Sequence, residues 1–296
     1  MLRVAVVVVL LAAFGIGYQH RIYQRILFNA RTWWHAREWK DHSLWLNDYR
    51  VVLEAVPIAG IDKNLSGLTW NNDSKTLFAV VNKPPQIVEL STAGGLLRRI
   101  VLRGFDDPEA IEYIGDGKYI VADEQSQKIV QIEIDAATEE INAQGLQRLT
   151  LGVGMVGNKG LEGLAWDFAN RKLYAAKERA PVHIYEVTGF PQEPNTTMDI
   201  EVTGNPDRDR QLFVTDVSGL DFNNHHQHLL VLSHESRLII EIDKSGQPIS
   251  SLSLLVGHGL SSSVPQAEGI AMDEQDTLYL VSEPNLFYVF RKGDGE

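Results

Sequence analysis

A chain of 296 residues, 44% apolar and 22% charged, is globular in composition and long enough for one large domain, which excludes a disordered chain and does not require two domains. Its formal charge of −12 is unevenly spread: residues 1–50 carry seven Lys/Arg against three Asp/Glu, a net +4, so residues 51–296 carry −16. An acidic body repels nucleic acid and suits cations or cationic ligands, while the absence of cysteine excludes thiol catalysis and cysteine-ligated zinc and leaves the compartment open.

The first element is apolar. Val4 to Gln19 is sixteen residues without a charge, preceded by Arg3 and followed by His20-Arg21. Residues 1–20 read as an uncleaved signal-anchor, because Phe14-Gly15-Ile16-Gly17-Tyr18 offers no small-residue cleavage site. Arg21, Arg25, Arg31 and Arg37 lie after the span, against the usual bias for a body outside the cell, so the charged start and apolar core must set the orientation. Residues 21–46 place Trp33, Trp34, Trp39 and Trp45 among arginines, which fits a segment at a membrane interface or a plain juxtamembrane linker helix. The expected location is the inner (plasma) membrane, single-pass, with the body in the periplasm.

Residues 47–296 are organised by five lead stretches that begin Ser66-Gly67-Leu68, Glu109-Ala110-Ile111, Glu162-Gly163-Leu164, Ser218-Gly219-Leu220 and Glu268-Gly269-Ile270. The steps between them are 43, 53, 56 and 50 residues, and each is followed by a turn and a second apolar run, as at Leu77–Val81 and Tyr119–Ala122. Third strands follow at Ile87–Leu90, Ile129–Ile134, His183–Val187, Leu238–Ile242 and Leu286–Phe290. Fourth strands are expected at Leu96–Leu102, Leu146–Leu151, Met198–Val202 and Ile249–Leu254. Four short strands per repeat predict an all-β fold, a single β-propeller. The fifth repeat lacks a fourth strand, and Tyr49–Val56 can supply it by pairing outside Leu286–Phe290, which closes a ring of five blades. Six stay open, because Thr203–Thr215 has room for irregular strands; no helix is expected after residue 50.

In such a ring the start of each first strand and the end of each second strand meet at one channel mouth. That pairs Ser66 with Lys83, Glu109 with Glu124, Glu162 with Glu178, Ser218 with Glu235 and Glu268 with Glu283, at separations of 17, 15, 16, 17 and 15 residues. Asn82, Asp123, Lys177, His234 and Ser282 lie beside the second set. So many carboxylates cannot all ionise unaided: some hold protons, some pair with Lys83, Lys177 or Arg179, or a cation sits among them. An oxygen-rich set with one histidine favours a hard ion, calcium or magnesium, over zinc. Glu109, Glu162 and Glu268 are the candidate metal ligands, with Ser66 and Ser218 at the equivalent weaker positions. Glu124, Glu178, Glu235 and Glu283 have a competing role, capping backbone N–H groups between blades.

The stretches Asn158-Lys159-Gly160-Leu161-Glu162-Gly163-Leu164-Ala165-Trp166 and Gln266-Ala267-Glu268-Gly269-Ile270-Ala271 resemble those of the SdiA-regulated family of bacterial envelope propellers, from about Val51 to the carboxyl end. The resemblance implies a periplasm-facing, calcium-binding propeller without an assigned biochemical role. Ser66 and Ser218 stand where related propellers often carry an acid.

Three functions compete. The first is a membrane-tethered binding module with calcium at its channel mouth, its ligand a small molecule or an envelope protein. The second is a calcium-dependent lactonase, esterase or phosphoesterase with a glutamate or His234 as base, and the third is a metal-free interaction scaffold. His225, His226 and His228 are read as a solvated hairpin turn at the opposite end from the glutamates, since the sequence offers them no further ligand.

Overall fold

The computed structural model describes residues 22–152, 160–179, 181–193 and 199–293. Helix α1 (Ile22–Lys40) comes first, followed by a 3₁₀ turn at Leu46–Asp48 and strand β1 (Tyr49–Pro57). Blade one is β2 (Leu65–Asn71), β3 (Thr76–Val81), β4 (Gln86–Leu90) and β5 (Leu96–Arg103). Blade two has β6 (Pro108–Gly115), β7 (Lys118–Asp123) and β8 (Lys128–Glu133); strand β9 (Glu140–Asn142) then leaves it before β10 (Arg148–Thr150) completes it. Blade three is β11 (Leu161–Asp167), β12 (Lys172–Lys177), β13 (His183–Thr188) and β14 (Glu201–Gly204), and a short helix α2 (Pro206–Gln211) connects it to blade four. Blade four is β15 (Gly219–Asn223), β16 (His228–Ser233), β17 (Leu238–Ile242) and β18 (Pro248–Ser253). Blade five is β19 (Gln266–Met272), β20 (Leu278–Glu283), β21 (Leu286–Lys292) and, from the other end of the chain, β1.

The chain is therefore a five-bladed β-propeller, closed as the sequence predicts: Tyr49 pairs with Lys292 and Pro57 with Leu286, antiparallel. Lead strands β2, β6, β11, β15 and β19 are neighbours around the axis. They are almost wholly buried because each is flanked on both sides by another blade. Five apolar clusters fill the five interfaces, for example Ala110, Ile120 and Ile129 of blade two against Leu164, Trp166 and Leu173 of blade three. An open arc of five blades would have four such clusters and an exposed apolar flank.

The turns follow from local chemistry. Asn71, Asp167 and Asn223 end their lead strands and Asp273 follows the end of its own, each five residues after Ser66, Glu162, Ser218 or Glu268, and each accepts from backbone N–H of the turn that follows. A short side-chain acceptor at that point fixes the reversal.

Two expectations need correction, and a third falls outside the described residues. The segment Thr203–Thr215 holds no sixth blade; Pro206 starts α2 there, with the Asn205 side chain accepting from Arg208 N at 3.0 Å, so a helix does follow residue 50. Blade one has a fifth strand, since β9 pairs parallel with β5 through Val101 and Glu140 and covers its outer edge. Finally, the expected membrane span at residues 1–20 lies outside the described residues, and among the described residues no helix is long and apolar enough to cross a membrane.

Helix α1 is fixed to the ring. Phe28 packs on Phe213 with ring centroids 4.5 Å apart, inside the cluster that joins blades three and four. After it, Leu44 N and Trp45 N donate to Glu241 at 2.9 and 3.1 Å, and Leu46 N donates to Ser250 Oγ at 2.9 Å.

Candidate functional site: an acidic channel mouth

The residue that opens each lead stretch is aimed by a β-bulge. Register against the second strand slips at Glu109, Glu162 and Glu268; in blade one it slips at Gly67, just after Ser66, and in blade four Ser218 and Gly219 both face Leu232. At the three glutamates the extra residue turns its side chain toward the axis. The small residue that follows is a steric requirement. A Cβ on Gly269 would lie 2.7 Å from the Gly67 carbonyl carbon, and Gly67, at φ +44°, would place one 2.8 Å from Ala110 Cα. The acid–small–aliphatic pattern thus records how closely neighbouring lead strands approach.

The bulges and the ends of the second strands together bring six blade-derived acids and bases to a cavity of about 190 Å³: Glu109, Glu162, Glu178, Glu268, Glu283 and His234, with Arg179 and the polar Ser66, Asn82, Ser218 and Gln266 at its walls. Of the expected residues, Glu124 lies just outside and accepts Gly160 N from the next blade at 2.9 Å, the capping role. Glu235 is exposed and held by Arg179, which also pairs with Glu178. Lys177 does not line the cavity. Ser66 Oγ donates to the Glu109 carbonyl at 2.8 Å and Ser218 Oγ to the Ala267 carbonyl at 2.7 Å, so both hydroxyls staple adjacent lead strands.

Electrostatically the mouth is under strain. Burial, and then the charges of Glu109, Glu124, Glu268 and Glu178, push the Glu162 carboxyl well above the usual carboxylate range. Burial raises Glu109 too, against a hydrogen bond from Asn82 at 2.8 Å that lowers it. Glu268 is pushed up to about 7 by burial, despite His234 and Gln266. Among the described residues no side-chain hydrogen bond and no ion pair involves the Glu162 carboxyl. The tightest oxygen cluster is not Glu109–Glu162–Glu268 but Asp107–Glu109–Glu124, whose carboxylate oxygens lie within 4.8 Å of one another. Glu109 is common to both sets.

Two acids that frame the mouth were not singled out from sequence. Asp216, fully buried, accepts from Ser233 Oγ and from His234 N and Glu235 N, both at 3.2 Å, and lies 3.0 Å from His234 Nδ1. Burial alone would lower the His234 pKa; Asp216 and, more weakly, Glu268 at 3.9 Å raise it. Asp107 is buried and lies 3.4 Å from Lys83 Nζ. Both precede a lead residue by two positions (Glu109, Ser218), a signal the sequence does carry. Deeper on the lead strands, Glu112 accepts Trp166 N and Thr69 Oγ1 at 3.0 Å each, while buried Asp221 has Oδ2 without a hydrogen-bond partner among the described residues. Burial pushes Asp221 up to about 7.

A five-bladed ring with bulge-aimed carboxylates at one mouth defines the class: a β-propeller with an acidic axial site. The chain matches the SdiA-regulated family over residues 41–291 and belongs to it. Among solved structures it is similar to a gluconolactonase from Xanthomonas campestris (12% identity, TM-score 0.50, 83% of this chain and 91% of that one). It is also similar to virginiamycin B lyase from Staphylococcus aureus (14%, 0.42, 79% and 68%) and to the PQQ-bound aldose sugar dehydrogenase from Streptomyces coelicolor (10%, 0.47, 82% and 98%). At such identities the likeness speaks to the fold alone.

Proposed function

We propose that the mouth binds a hard divalent cation, calcium, and that the protein is a membrane-tethered, periplasm-facing binding module that presents this ion to a small-molecule or envelope-protein ligand. The observation that carries the reading is Glu162: a carboxylate among four others, with no donor among the described residues to neutralise it. A cation supplies what the protein does not, and an all-oxygen donor set suits calcium or magnesium. Glu109, Glu162 and Glu268 are the ligands, with Asp107 and Glu124 contributing from the Glu109 side. Tethering is argued from α1, whose Ile26, Leu27, Trp33 and Trp34 are exposed beside Arg25, Arg31 and Arg37 while Phe28 holds it to the ring. Thermal melting in calcium, magnesium or chelator tests the ion: binding to the folded state raises the midpoint by mass action, and an unchanged midpoint at millimolar calcium refutes it.

One observation favours a second reading, the calcium-dependent hydrolase. His234 Nδ1 stands 3.0 Å from the fully buried Asp216 carboxylate and 3.9 Å from Glu268, which puts an imidazole between two acids at the mouth, where a general base beside an activating ion would act. A screen of lactones, esters and phosphoesters with calcium present decides it, His234→Asn being the variant that must lose any turnover found.

A further inference from the structure

The five-strand lead pattern leaves one constellation unused, at the end of the ring away from the glutamates. His225 and His226 occupy the β15–β16 turn of blade four, and Asp276 the β19–β20 turn of blade five. One ligand atom from each, two imidazole nitrogens and a carboxylate oxygen, lies within 4.8 Å of the other two. We propose that these three side chains form a site for a borderline divalent transition metal, zinc in the first instance, that clamps blade four to blade five.

Donor chemistry separates this site from the mouth. Two imidazoles and one carboxylate select zinc-like ions, whereas oxygen-only sets select calcium. A tetrahedral ion with bonds of about 2.1 Å sets its ligand atoms about 3.4 Å apart, so the three groups close by little more than about 1 Å, a side-chain adjustment in an exposed turn. The rings of His225 and His226 are already adjacent, with centroids 4.6 Å apart and planes at 62°.

The supporting shell is built. Buried Asn223 accepts His226 N through Oδ1 at 2.8 Å and donates through Nδ2 to Asp276 Oδ1 at 2.9 Å, so one side chain fixes both turns and leaves Asp276 Oδ2 for an ion. Tyr49 Oη donates to the Asp276 carbonyl at 2.9 Å, tying the same turn to β1, the strand that closes the ring. His228 belongs to the support and not to the ligands: it is buried at the start of β16, with Nδ1 2.8 Å from Glu241. The reading of all three histidines as a solvated turn therefore fails for His228, which is buried in β16, while His225 and His226 do lie in the turn.

The test is zinc binding to the untagged full chain in detergent, by calorimetry and by X-ray absorption at the zinc edge. The expected result is one zinc per chain with two-imidazole scattering, weakened at least 10-fold by the double variant His225→Gln/His226→Gln and by Asp276→Asn, which keeps the Asn223 contact. Glu162→Gln must leave zinc affinity unchanged; the inference is then separate from the calcium reading, whichever way that falls. Affinity weaker than about 100 µM in the wild type, or equal affinity in the double variant, overturns it. Circular dichroism of each variant verifies that a lost site is not a lost fold.

Discussion

Replacing Glu268 by Gln separates two effects that the mouth combines. The carboxyl is buried and sits at about 7 in the folded protein against 4.5 when unperturbed, about 2.5 units. At 1.36 kcal/mol per unit this is about 3 kcal/mol of stability, fully present below about pH 4.5 and lost as pH rises through 7, because the unfolded chain gives up that proton first. Between pH 5 and 8 the ion-free wild type loses most of this, about 2 to 3 kcal/mol, through this group, and the Gln variant loses none of it. Urea unfolding of residues 22–296 in chelator at pH 5, 6, 7 and 8 reads the difference in slope between the two chains, which cancels any pH-independent cost of the substitution. Saturating calcium flattens the wild-type profile and leaves the variant less affected. Parallel wild-type and variant profiles in chelator refute the reasoning, since Glu268 would then not be the strained group that its burial makes it.

Glu162→Gln abolishes the calcium-induced rise in melting temperature while raising ion-free stability at pH 8, a trade visible by calorimetry. Asp221→Asn flattens the stability profile between pH 5 and 8 in the same sense and leaves the calcium shift intact, since the group sits at about 7 through burial below the mouth. Gly269→Val forces a Cβ to within 2.7 Å of the Gly67 backbone and lowers stability by more than about 3 kcal/mol, measured by urea midpoint. Trp33→Ala/Trp34→Ala reduces sedimentation of residues 22–296 with anionic vesicles at least fivefold without changing the melting temperature, both rings being exposed.

How much of the site the sequence disclosed follows from how local each cause is. Glu109, Glu162, Glu268, Glu178, Glu283 and His234 were legible at the mouth because strand direction and repeat spacing place them at one end of each hairpin, and the hairpin is a local structure. Glu235 and Lys177 satisfy the same spacing yet do not line the cavity, because Arg179 draws Glu235 outward and register against β11 and β13 governs Lys177. Asp216 and Asp107 were missed because their importance lies in what they accept: backbone and side-chain donors 17 to 19 residues away for Asp216, and Lys83 of the preceding blade for Asp107.

The amino-acid sequence by itself determined the blade strands, their turns, the repeat and the closure of the ring by β1, since short apolar runs, Asx turns and an unpaired fifth repeat are all short-range consequences of residue type. Tertiary structure alone decided which acids share a cavity, through bulges whose register depends on the partner strand. It also decided that Asp276 lies within reach of His225 and His226. Asp276 is 50 residues further along the chain than His226, and only the packing of two blades against each other brings their turns together.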